Sequence, residues 1–265
     1  MTETEPDNIL KPWWEPVDIE VEQIRHYAVG PVSVYLQRRQ SEWLLAWENF
    51  PDSEDYYRVI SEAVSEIPQH LTVNRYVFQR PPRRFRLKPR LLDRPIVVKT
   101  NQPVRIPSGE SITFFISSPV CVSVELQDPD TVLQELDTLR LSDTWFGPST
   151  RVGELCYATK THARNEKSDM PLRPHRAVTP VNIRNQSDAI LAIEKLSIPV
   201  PFLRVYGHAD GTLWTEPVSL EHTEDNQLAK MEIGRQPAGA VALAEARTPP
   251  ARNNVVRAFI SMFAE

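Results

Sequence analysis

Nine cations fall between residues 75 and 99 of this chain: Arg75, Arg80, Arg83, Arg84, Arg86, Lys88, Arg90, Arg94 and Lys99, against one acid, Asp93. The segment carries +8, and the remainder of the chain carries −13. Within it, Arg84, Arg86 and Lys88 alternate with Phe85 and Leu87. Successive side chains of a strand point to opposite faces, so Phe85 and Leu87 face a core and the three cations share the outer face. A row of like charges on one face repels itself unless something neutralises it. The neutraliser can be internal: the acids Glu3, Glu5, Asp7, Glu15, Asp18, Glu20 and Glu22, or a helix expected over residues 52–67 and acidic as far as Glu66. Otherwise Arg80, Arg83, Arg84, Arg86, Lys88 and Arg90 hold an external anion. An acidic protein surface, an anionic membrane surface or another polyanion such as a nucleic-acid backbone would serve.

A second constellation is Cys156, His162, Asp169 and His175, ligand types that zinc accepts. Spacing argues against it. None of the six histidines lies at the i, i+2 or i, i+4 separation that aims two imidazoles at one metal from a single element. No metal and no cofactor is expected. The chain also lacks G-x-G-x-x-G, a phosphate-binding G-x-x-x-x-G-K-[ST], H-E-x-x-H, C-x-x-C and G-x-S-x-G. Glycine is scarce at 8 and proline abundant at 24, where average usage gives roughly 19 and 13. That balance disfavours glycine loops around phosphates. Cys121 and Cys156 sit in the apolar runs VCVSV and ELCYA, so they are expected as reduced, buried thiols. Without a basic-then-apolar leader or a run of about 18 apolar residues, the chain is expected to be cytoplasmic, with no transmembrane segment. The Asn185-Gln186-Ser187 sequon then reads as a turn.

Alternation of apolar and polar residues dictates the elements that must carry these groups. Val32, Val34 and Leu36, then Trp43, Leu45 and Trp47, predict a hairpin. Val104 and Ile106 with Ile112, Phe114 and Ile116 predict a second, across residues 107–110. Residues 203–206 and 212–215 flank His208-Ala209-Asp210-Gly211, whose Asp-Gly suits a tight turn. Helical spacing of Tyr56, Val59, Ile60, Ala63, Val64 and Ile67, ended by Pro68, predicts the one helix; a weaker helical pattern begins near Asp130. Many short strands bounded by prolines indicate an all-β protein of two sandwich-like antiparallel lobes, with a short helix in the first half. Asp128-Pro129-Asp130 interrupts the strand pattern, so residues 1–127 and 128–265 are expected as the two lobes.

Trp145-Phe146-Gly147, Gly153-Glu154-Leu155-Cys156-Tyr157-Ala158, Thr179-Pro180-Val181, Asn185, Pro199-Val200-Pro201 and Leu213-Trp214-Thr215 resemble the prokaryotic family catalogued as domain of unknown function 432. The resemblance implies a soluble β-rich protein and supplies no catalytic residue. The leading expectation is a non-catalytic interaction or regulatory module that engages an anionic partner through the basic strand. The alternative is an enzyme or small-molecule-binding protein with a site between the lobes, near Cys156, His162 and His175. A third reading makes Trp13 and Trp14 a carbohydrate platform, although core packing is the commoner fate of most of the six tryptophans.

Overall fold

The computed structural model describes residues 11–51, 59–149, 151–223, 228–249, 254–257 and 259–260. Its axis is the 17-residue strand Ser111–Gln127, whose side chains from Ile116 to Leu126 are buried on both faces. Such a strand needs neighbours along its whole length. Val120 to Gln127 pair antiparallel with Leu91 to Arg84 of the basic strand, and Ser111 to Pro119 pair with Arg184 to Arg176 of the strand Arg176–Asn185. Pro119, which has no N–H to give, sits where one ladder hands over to the other. Strand Thr131–Asp137 folds back on Leu126 to Cys121, so Asp128-Pro129-Asp130 is the turn of a hairpin. These strands belong to an eleven-stranded sheet, and two five-stranded sheets accompany it.

The first five-stranded sheet runs in the order Val59–Val64, Ile24–Val29, Val32–Arg38, Glu42–Asn49, Asn74–Val77, antiparallel throughout. The predicted hairpin is here, with Val34 opposite Trp47 and Leu36 opposite Leu45. Tyr27 and Trp43 meet Phe85 edge-on at 5.5 and 5.8 Å, and this sheet thereby packs onto the inner face of the basic strand. The other five-stranded sheet runs Ser142–Ser149, Val152–Ala163, Ile96–Ile106, Leu191–Ile198, Phe259–Ile260. Among the described residues the main core runs from Trp13 to Ala244, and Met170, Val178 and Trp214 form a small second cluster.

The helix over 52–67 is corrected. Val59–Val64 is a strand on the edge of the first sheet, with Val59 opposite Val29 and Val64 opposite Ile24; residues 52–58 lie outside the described residues. Its side chains are mostly exposed, so no apolar helical stripe had a surface to cover. The open edge of Ile24–Val29 offers backbone partners to a segment rich in β-branched residues. The same holds near Asp130, where Thr131–Asp137 takes the edge of the central strand. No α-helix occurs among the described residues; Lys167–Asp169 and Val200–Phe202 are single 3₁₀ turns.

The hairpin across residues 107–110 is corrected as well. Val104 and Ile106 pair with Ile193 and Leu191, whereas Ile112, Phe114 and Ile116 pair with Ile183, Val181 and Thr179 in the larger sheet. The chain changes sheets at this turn, pinned by Gly109 N–H to the Asn185 carbonyl (2.8 Å) and Asn185 N–H to the Glu110 carbonyl (3.0 Å). Alternation reveals that a segment is a strand and leaves its partner open. The Asp210-Gly211 turn does form, with φ +83° at Gly211 and Tyr206 opposite Trp214.

Candidate functional site

The basic strand Arg84–Leu91 alternates as expected: Phe85, Leu87, Pro89 and Leu91 are buried, Arg84 is exposed, and Arg86, Lys88 and Arg90 are half-buried. Carboxylates from three neighbouring segments interleave with the cations. Asp18 lies directly opposite Arg84 and bonds its Nε at 2.8 Å, and Arg83 reaches Glu20 at 2.6 Å. Glu125, directly opposite Arg86, takes Arg86 at 2.8 Å and Lys88 at 3.7 Å. Glu135 takes Arg90 at 3.7 Å and also holds Arg247. The hydrogen bond from Arg84 keeps the Asp18 carboxyl below the usual carboxylate range, and Asp18 in turn raises Arg84. Two of the acids expected from the N-terminal stretch, Asp18 and Glu20, therefore lie against the row; Glu62, from the segment expected as a helix, instead bonds His26 at 2.9 Å. Arg80 is exposed beyond the start of the strand.

The cysteine–histidine candidates are not gathered. Cys156 is buried within its strand, His162 is exposed, and His175 is fully buried with its ring against the backbone of Gly30. The side chain of Asp169 lies outside the described residues. Among the described residues, no three His, Cys, Asp or Glu side chains could hold a metal ion. Burial pushes both thiols, Cys121 and Cys156, up to about 12. A thiol-specific colorimetric reagent at pH 8 is therefore expected to leave both unmodified in the native protein and to titrate two on unfolding. One fast-reacting native thiol would contradict this burial.

Trp13 and Trp14 are buried as well, Trp13 donating to the Pro174 carbonyl at 3.1 Å and Trp14 lying on Gly207. Neither offers a face to a sugar. Trp43 and Trp214 are buried, whereas Trp145 is 43% exposed.

Sequence reasoning missed a cleft of about 760 Å³, a volume within the range of small-molecule sites. It is lined by Asn49-Phe50-Pro51, at the end of strand Glu42–Asn49, and by Thr138 to Ser142, the link from Thr131–Asp137 to Ser142–Ser149. Pro119, Ala158, Thr159 and Arg176 complete the lining. Backbone carbonyls fix its polar groups: Asn49 Nδ2 donates to Asp137 (2.7 Å), Thr138 Oγ1 to Val120 (2.5 Å) and Thr159 Oγ1 to Val97 (3.1 Å). Arg176 Nη1 donates to Thr161 Oγ1 at 2.9 Å. Arg140, also in the lining, is exposed and forms no ion pair with a described residue. Among the described residues the lining has two guanidinium groups and no carboxylate, imidazole, thiol or amine. No signal in the sequence marks this site, because its residues come from five separate stretches and most are prolines, leucines and hydroxyls.

The family model described as Protein of unknown function (DUF432) matches residues 13–263, nearly the whole chain. The chain belongs to this family. No curated protein and no solved structure matches it. Several residues of the strings that resemble this family have architectural roles in the structure. Trp145 lies across Gly153, where a Cβ would collide with the indole, and faces Leu155 across the hairpin. Asn185 is fully buried; its Nδ2 bonds the carbonyls of Ile106 and Ala189, and its Oδ1 accepts from Ser187. That explains the sequon as a turn. Thr179 and Thr215 bond each other at 2.9 Å between parallel strands. No helix of the described residues is long and apolar enough to cross a membrane.

Proposed function

We propose that this protein is a non-catalytic binding module of the cytoplasm that takes an anionic ligand in the cleft lined by Asn49-Phe50-Pro51 and Thr138–Ser142. One observation carries the reading: the described lining is cationic and has no group suited to general acid–base or thiol chemistry. The free, buried cysteines suit a reducing compartment.

A second reading keeps the basic strand as the contact for an acidic protein, an anionic membrane or another polyanion. It is favoured by the exposed end of the row, Arg80, Arg83 and Arg84, since exposed pairs such as Arg83–Glu20 bind weakly enough to exchange partners. Calorimetric titration with sulfate, benzoate, heparin and the cation benzylamine separates the two. The cleft reading expects sulfate and benzoate to bind the native protein, benzylamine not to bind, and Arg140→Glu to abolish the signal while Arg80→Glu leaves it intact. Heparin binding lost in Arg80→Glu and kept in Arg140→Glu, with no small anion bound, would transfer the function to the basic strand.

A further inference from the structure

We infer that the ligand of the cleft is a small amphipathic acid, a single anionic head such as a carboxylate or phosphate monoester on an apolar body, with the head held by Arg140. This rests on the reading of the cleft as the binding site. Its basis is the solvent exposure of each kind of group along one stretch of the lining. Along Thr138 to Ser142, Arg140 and Ser142 are exposed, Leu139 and Leu141 are half-buried and Thr138 is buried. On this stretch the Arg140 charge is solvent-exposed and the hydrocarbon of Leu139 and Leu141 is partly covered, and Pro119 adds to the apolar lining.

The polar atoms of the lining sharpen the choice. Thr138 and Thr159 spend their only hydroxyl hydrogens on backbone carbonyls, and Asn49 directs an amide hydrogen to another. What the hydroxyls have left for a ligand is acceptor lone pairs. The second guanidinium of the lining, Arg176, is half-buried and gives Nη1 to Thr161 Oγ1, so a second anionic group set against Thr138 and Thr159 would meet hydroxyl acceptors and lose hydration there. A ligand charged at one end and apolar at the other avoids that cost. The Arg140 guanidinium, whose five donors suit a planar carboxylate or a phosphate, is the group built to hold the head. Burial of the body against Leu139, Leu141, Phe50 and Pro119 supplies apolar contact that an inorganic anion cannot make.

The test is calorimetric titration of the full chain, below micelle-forming concentrations. Octanoate, octyl phosphate and phenylacetate are the amphipathic acids, acetate and inorganic phosphate the heads without a body, and octanamide the body without a charge. The expected result is binding of at least one amphipathic acid, with its head-only and uncharged counterparts weaker by about ten-fold or more. The preferred acid distinguishes a carboxylate from a phosphate source, and a flat body from a chain. Arg140→Gln should weaken that acid about ten-fold or more, and Leu141→Asn should weaken it without changing the affinity for inorganic phosphate. Acetate or phosphate binding as tightly as the tailed acids would overturn the inference and leave the anion-binding cleft standing. Octanamide equal to octanoate, with Arg140→Gln silent, would overturn both. Binding by none of the three acids overturns the inference, and the sulfate and benzoate titrations then decide the wider reading.

Discussion

Arg86→Glu is expected to lower the melting temperature by about 10 °C, whereas Arg84→Glu, two residues away on the same face, shifts it by no more than about 2 °C. Both arginines lie directly opposite an acid, and burial separates them. The Glu125 side chain is only 9% exposed and receives both Arg86 and Lys88, so reversing Arg86 leaves two carboxylates facing each other out of water. Breaking a buried pair by removing one partner typically costs about 3–5 kcal/mol, and in a chain of this size each kilocalorie moves the melting point by about 2–4 °C. Asp18, opposite Arg84, is well solvated, and water and salt screen its loss. A double replacement, Arg86→Leu with Glu125→Leu, should recover part of the stability, because the buried carboxylate is gone and the one cation that loses its partner, Lys88, is partly open to water. Thermal melts of the four proteins check this. Equal, small shifts for Arg86→Glu and Arg84→Glu would mean that Glu125 is hydrated and that the row is a surface feature throughout.

Gly30→Ala is the second large effect, expected to destabilise the fold by about 2–4 kcal/mol. Gly30 has φ +56°, and a Cβ there would run into the imidazole of His175, which is fully buried and held in a packed region. Gly109 provides the control. Its φ is +80° and nothing lies within 4 Å of where its Cβ would stand. Gly109→Ala should therefore cost only the left-handed backbone term, about 1 kcal/mol. The difference between the two variants in urea unfolding measures the collision. Adding His175→Ala to Gly30→Ala should restore part of that difference and none of the backbone term. If Gly30→Ala and Gly109→Ala unfold at the same urea concentration, the packing of His175 on Gly30 is wrong.

Strand identity was legible residue by residue. Phe85 and Leu87 announced a buried face, the alternating runs around Val34 and Leu45 with the polar turn between them announced a hairpin, and Asp210-Gly211 announced its turn, because period-2 alternation and turn chemistry are local properties. Of the strings that resemble the family, Gly153 meets a close approach of Trp145, and Asn185 and Thr179 make buried hydrogen bonds. The segment at 59–64 misled because helical spacing and a β-branched run coincide there, and the free edge of Ile24–Val29 settled it.

Tertiary structure alone decided the rest. Arg86 and Glu125 are 39 residues apart and meet only through the register of two strands, so no inspection of the basic segment shows whether its charge is free. The turn at residues 107–110 joins two strands of different sheets, a choice made by Ile193 and Val181 far along the chain. The cleft is the extreme case. Arg140, Asn49, Pro119 and Arg176 carry no pattern in sequence, and a concave surface arises only where the ends of separately formed strands converge. Alternation is written into each segment, whereas pairing, neutralisation and concavity are properties of distant segments brought together by burial of the core.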